Sequence, residues 1–166
     1  PLTKPLASKK KDLEEEIHPS EAVADGLRKL TDEQVASNWP ELAANGFRVP
    51  DLRRILKNLS VLGLSADSLV EGLDHADFEL HALRKGKAPL RDRHGQIVET
   101  PYAYVVGSLF KSGYYKRPQG YVSAKEQKEM DAKEEALRVV EARMKRKEAE
   151  YQAWRCHLSP EEKNAI

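Results

Sequence analysis

Residues 52–83 read LRRILKNLSVLGLSADSLVEGLDHADFELHAL. Leu52, Ile55, Leu56 and Leu59 recur at i, i+3, i+4 and i+7, the spacing of one face of an α-helix rather than the alternation of a strand. Gly63 interrupts this pattern and Ser65 stands where an N-cap belongs, so a second helix is expected from there. Its stripe is Ala66, Leu69, Leu73, Ala76, Leu80 and Leu83, about five turns long. The opposite face carries Glu71, Asp74, Asp77 and Glu79 with His75 and His81. Two readings of that face stay open: a solvated acidic surface, or a metal or acid–base cluster gathered within about three turns.

Upstream, Thr31 with Gln34 forms a capping-box pattern for a helix running towards Trp39, which Pro40 limits. Ser20 is placed to cap a shorter helix through Leu30, and Gly46 with Pro50 punctuates the entry to the Leu52 helix. Residues 1–19, with Pro1, Pro5 and Lys9 to Lys11, are expected to be a flexible lead-in, and the start without Met suggests a fragment of a longer chain.

Downstream, Arg84 to Glu99 holds Gly86, Pro89 and Gly95 and no helical period, so a long loop or small hairpin is expected, with Gln96 to Val98 as a candidate short strand. Thr100-Pro101 is a helix start, Tyr102, Val105, Val106, Leu109 and Phe110 share its face, and Gly113 supplies the stop. Ser123 with Glu126 starts a last long helix to about Arg155. Met130, Leu137, Met144 and Tyr151 recur every seven residues there, with Val140 and Trp154 at the half-steps and Lys133 and Lys147 interrupting the seam. Glu129–Lys133, Glu134–Arg138 and Glu141–Lys145 are spaced to pair across one turn. Leu158 to Ile166 holds a short Ser-Pro-Glu-Glu helix start, and no internal repeat is visible. The fold class expected is all-α: a compact multi-helix domain over 20–121, then a long protruding charged helix within 122–166.

Composition narrows the function. The chain of 166 residues is 33% charged, with a formal net charge of +1. That small sum hides segregation, since Asp12 to Glu41 holds nine acidic residues against two basic, whereas Arg84 to Arg117 holds eight basic against two acidic. A local cationic patch of this kind attracts phosphate without making the whole molecule adhesive. One cysteine, Cys156, excludes an internal disulfide and fits a reducing, cytoplasmic setting. No apolar run is long enough to span a membrane.

No Gly-rich phosphate loop, paired-His metal spacing or nucleophile elbow occurs, so neither enzyme, cofactor nor metal site is expected. The run Lys111 to Tyr121 is different, because it mixes Lys111, Lys116 and Arg117 with Tyr114, Tyr115 and Tyr121 where glycine and proline hold the backbone out of regular structure. Stacking on tyrosine and counterion release at phosphates would suit a single nucleic-acid strand. The alternative is that these rings simply pack the turn onto the core. Arg84, Lys85, Lys87, Arg91 and Arg93 are the expected secondary phosphate contacts. A further basic cluster, Arg143, Lys145, Arg146 and Lys147, reads as the solvated face of a long helix, with phosphate contact as the alternative.

Residues 100–123, TPYAYVVGSLFKSGYYKRPQGYVS, resemble the C-terminal region of replication proteins carried by bacterial plasmids and integrative elements. They are more distantly similar to DnaD-like domains of primosome and helicase-loading proteins, with Tyr102, Val106 and Phe110 at the matching positions of a helix implicated there in single-stranded DNA binding. Gly107 and Phe110 depart from that pattern, which has leucine and tryptophan. The resemblance implies a DNA-binding accessory domain of a replication initiation or helicase-loading protein, with DNA and a replicative helicase or other replication protein as partners. The rival expectation is a protein-interaction module that self-associates through 124–155. A third is a hydrolase built on the His75 region.

Overall fold

The computed structural model describes residues 19–166. Eight helices are present among them: α1 (Pro19–Arg28), α2 (Asp32–Asn38), α3 (Pro40–Ala44), α4 (Val49–Val61), α5 (Leu69–Arg84), α6 (Pro101–Ser112), α7 (Ala124–Cys156) and α8 (Pro160–Asn164). The fold is all-α, and the described residues contain no strand, only one antiparallel bridge between Arg91 and Ile97. No helix among them is long and apolar enough to cross a membrane. Of the expected lead-in over residues 1–19, residues 1–18 lie outside the described residues, as does the side chain of Ser20, and Pro19 opens α1. The chain divides into two compact units, one ending at Tyr121 and the other beginning at Val122.

The first unit is built on the two stripes read above. Leu52, Ile55, Leu56 and Leu59 of α4 and Leu69, Leu73, Ala76 and Leu80 of α5 are all buried, joined by Val35, Trp39, Leu42, Phe47, Val105 and Leu109. α5 packs on both α3 and α6, while α4 packs on α1 and α6. The Thr31–Gln34 capping box is formed, whereas two expected caps are not. Ser65 accepts from Asp67 N at 3.1 Å and α5 begins at Leu69, and the Thr100 hydroxyl makes no capping bond to α6. Pro40 does more than end a helix, since it stands at the first turn of α3, where its missing N–H costs nothing.

Two glycines let the chain after α6 pass over the core. Gly113 has φ 69°, and a Cβ there would meet Leu59 Cδ1 at 2.8 Å. A Cβ on Gly72 would stand 2.9 Å from both Tyr114 Cα and Tyr115 N, so this position in mid-α5 is where the Tyr114–Tyr115 backbone lies against the helix.

The acidic face of α5 is a correction to the solvated reading. Asp74 accepts from the Trp39 indole at 2.7 Å, and Asp77 accepts from the backbone N–H groups of Glu41 and Leu42 at 2.8 and 2.9 Å. Those bonds satisfy donors at the start of α3 and brace it to α5. Burial pushes both aspartates up from their ordinary pKa, opposed at Asp74 by the Trp39 hydrogen bond and at Asp77 by the backbone bonds.

In the second unit, Ser123 caps α7 through a completed capping box with Glu126, and Ser159 does the same for α8 with Glu162. α7 has 33 residues, none of them buried. Of the three ion pairs expected along it, Glu134–Arg138 is formed.

Candidate nucleic-acid interface

The loop between α5 and α6 and the turn after α6 meet in a cleft. It encloses about 340 Å³ and is lined by Glu79, Lys87, Pro89, Arg91, Lys116, Arg117 and Gln119 among others. Four cations from two segments far apart in sequence thus converge on one concavity. The turn is held by Pro118, which is buried, and by the Arg117 guanidinium, which donates to Tyr121 O at 2.8 Å and lies 5.5 Å over the Tyr121 ring. Arg91 donates to Gly95 O at 2.8 Å, which fixes its guanidinium against the hairpin-like turn of Asp92 to Gly95. Glu79 forms the acidic floor, its side chain 4% exposed and 2.7 Å from Lys87 Nζ.

A second cleft of about 370 Å³ opens on the other part of the same loop, lined by Asp92, Arg93, His94, Tyr104, Ser108 and Lys111. Asp92 shapes its rim by accepting from the N–H groups of His94 and Gln96 at 2.8 and 3.0 Å. The segment Lys87 to His94 therefore borders both concavities, and cations from it and from the α6 end face each.

The structure separates the expected contact residues into distinct fates. Lys116 and Arg117 share the first cleft with Lys87 and Arg91, and Lys111 shares the second with Arg93. Tyr115 is a correction: it is 2% exposed and belongs to the core, so its ring has no face to offer a base. Burial, then the nearby Glu79 carboxylate, pushes its phenol pKa up. Tyr114 and Tyr121 are half-buried, set edge-on around the buried His75 ring at 5.6 and 4.6 Å. Arg84 is also corrected, since its guanidinium holds the Glu41 carboxylate through Nη2 at 2.6 Å and Nε at 2.9 Å. Hydrogen bonds from Arg84, and then from His81, lower the Glu41 pKa. Lys85 is exposed at the end of α5 and lines neither cleft.

Around His75 and His81, Glu71 approaches His75 Nε2 at 3.7 Å, but among the described residues no three His, Cys, Asp or Glu side chains are grouped to hold a metal ion. His75 is fully buried with Nδ1 2.8 Å from Tyr115 O, and because a carbonyl only accepts, Nδ1 carries the proton. His81 instead bonds Glu41 at 2.9 Å.

Sequence reasoning missed Tyr104 and the place of Glu79 beneath Lys87, for which no local signal exists, whereas the Asp92-Arg93-His94-Gly95 turn fell within the expected loop and was legible from its Asp and Gly. Also missed was a hollow of about 530 Å³ lined by Arg28, Arg53, Lys57, Ser60 and Val61, although Arg53 and Lys57 are one turn apart on α4. Arg28 there is paired with Asp25 at 2.8 Å.

Comparison of the chain with family models, with curated proteins and with solved structures returns no match.

Proposed function

We propose that the first unit binds nucleic acid, DNA in the first instance, by laying a phosphate backbone along the two basic clefts. What carries this reading is the convergence of Lys87, Arg91, Lys116 and Arg117 on one concavity. Cations held in one place neutralise successive phosphates and release counterions, the main source of sequence-independent affinity. With Tyr115 in the core and Tyr114 and Tyr121 edge-on to His75, phosphate contact outweighs base stacking. Two concavities set on different parts of one loop favour a strand that can bend between them over a duplex, whose persistence length is about 50 nm. The resemblance of residues 100–123 supports placing this activity in a replication initiation or helicase-loading protein, as a binding rather than a catalytic element.

The test is fluorescence anisotropy with labelled single-stranded and duplex oligonucleotides of equal length across a salt series. The single strand is expected to bind more tightly, with log K falling against log salt by about 0.7 per phosphate contacted. Equal or stronger duplex binding would reject the strand preference, and affinity insensitive to salt would reject the phosphate clefts.

A further inference from the structure

The heptad seam of α7 is left facing solvent. Leu137 is 59% exposed, Met144 66%, Val140 50% and Trp154 50%. A stripe of large apolar side chains repeating on a single line is costly to hydrate and calls for a partner with the same repeat.

We propose that this partner is α7 of a second copy of the chain, paired as an antiparallel two-stranded coiled coil. Met130, Leu137, Met144 and Tyr151 occupy the a positions of the heptad, and Lys133, Val140, Lys147 and Trp154 the d positions. A parallel in-register pair would place Lys133 against Lys133 and Lys147 against Lys147, two like-charge layers inside the seam. An antiparallel pair sets a against d, and one register satisfies every layer. Met130 then faces Trp154 of the second copy, Leu137 faces Lys147, Val140 faces Met144, and Tyr151 faces Lys133, each pairing occurring twice by two-fold symmetry. No lysine meets a lysine.

The charges around the seam fit the same register. Lys147, level with Leu137 of the second copy, lies between Glu134 and Glu141, which flank that leucine at i−3 and i+4. Lys133, level with Tyr151, has Glu148 beside it at i−3 and Arg155 at i+4, where the end of α7 at Cys156 leaves the arginine open to solvent. The lysine stems cover apolar surface while their ammonium groups reach these carboxylates. A shift of one heptad in one direction sets Trp154 against Ser123, outside α7, and in the other sets Met130 beyond its end at Cys156. The seam thus selects orientation and register together, and it needs nothing from the basic clefts.

The experiment uses the full chain with Cys156→Ser. Met130→Cys and Trp154→Cys variants are prepared separately, oxidised alone and as a mixture, and resolved without reductant. The mixture is expected to give a disulfide-linked dimer containing one chain of each, with little product from either variant alone. Self-linked product from each variant would establish the parallel pair and overturn the proposal. Sedimentation equilibrium of the Cys156→Ser chain should show twice the 18.8 kDa chain mass, dissociating on dilution. A monomer at all concentrations, or three or more copies, overturns it. Leu137→Lys, which sets lysine against Lys147, should reduce dimerisation at least tenfold, and adding Lys147→Leu should restore it. Failure of that restoration while α7 stays helical by circular dichroism also overturns it.

Discussion

The ammonium of Lys87 stands 2.7 Å from a carboxylate oxygen of Glu79, with the glutamate side chain 4% and the lysine side chain 33% exposed. The pair lies in the first basic cleft, so the Lys87 charge is already partly neutralised from below. Glu79→Gln keeps a neutral acceptor in place and returns the full charge of Lys87 to the cleft. Oligonucleotide affinity is expected to rise several-fold, with the salt slope steeper by about 0.7. Lys87→Ala leaves a buried carboxylate uncompensated, and a stability loss of about 3 kcal/mol should appear in urea melts.

Arg84 separates charge from position. It sits among the same basic residues in sequence, yet its guanidinium grips Glu41. Arg84→Gln should lower the melting temperature and leave oligonucleotide affinity unchanged at temperatures where the variant is folded. Lys116→Gln should do the reverse. A binding loss for Arg84→Gln as large as that for Lys116→Gln would show that general positive charge, rather than the cleft, attracts the ligand.

Tyr115 and Gly72 test whether the turn after α6 is fastened to the core. The Tyr115 hydroxyl is buried with no hydrogen-bond partner in bonding geometry among the described residues, although Glu79 is near. Tyr115→Phe is therefore expected to be neutral or stabilising, whereas Tyr115→Ala should cost about 3–5 kcal/mol. Gly72→Ala drives a methyl group to 2.9 Å from the Tyr114 backbone and should cost about 1–3 kcal/mol, read in the same melts.

The helices were legible because their signals are local. The stripes of α4 and α5, the Thr31 and Ser123 capping boxes and the Gly113 stop each depend on residues within a few turns of each other. What escaped is what joins distant segments. Asp74 and Asp77 look like any solvated acidic pair along α5, and only the approach of Trp39 and the α3 N–H groups makes them a brace. Tyr115 follows Tyr114 in an apparently exposed turn, and only the absent side chain of Gly72 lets that backbone settle onto the core. The cleft itself was half visible: the cations could be counted, but which of them share a concavity and which are held by Glu41 could not.

The two sides of the α5 brace should respond oppositely to acid. Asp74 has its pKa raised by burial, so its charged form weighs against the fold at neutral pH and ceases to do so as pH falls. Asp74→Asn keeps an acceptor for Trp39 and is expected to be at least as stable as wild type at pH 7, losing any advantage below about pH 4. Glu41 is lowered by Arg84 and His81, so its contribution is present above the unfolded carboxylate pKa of about 4.3 and is lost as pH falls through the lower folded value. Glu41→Gln should be less stable than wild type at pH 7, with the gap closing in acid. Melting temperatures between pH 3 and 7 for the three proteins check both signs.

The most direct test of the basic clefts is the slope of log K against log salt for a single-stranded oligonucleotide, measured for the wild-type chain, for Arg91→Gln with Lys116→Gln, and for Arg53→Gln with Lys57→Gln. The first pair should lower the slope by about 1.4, two phosphate contacts at about 0.7 each, and weaken binding at every salt concentration. The second pair should leave both unchanged. The opposite pattern would move the binding surface to the hollow beside α4 and contradict the assignment made to the clefts.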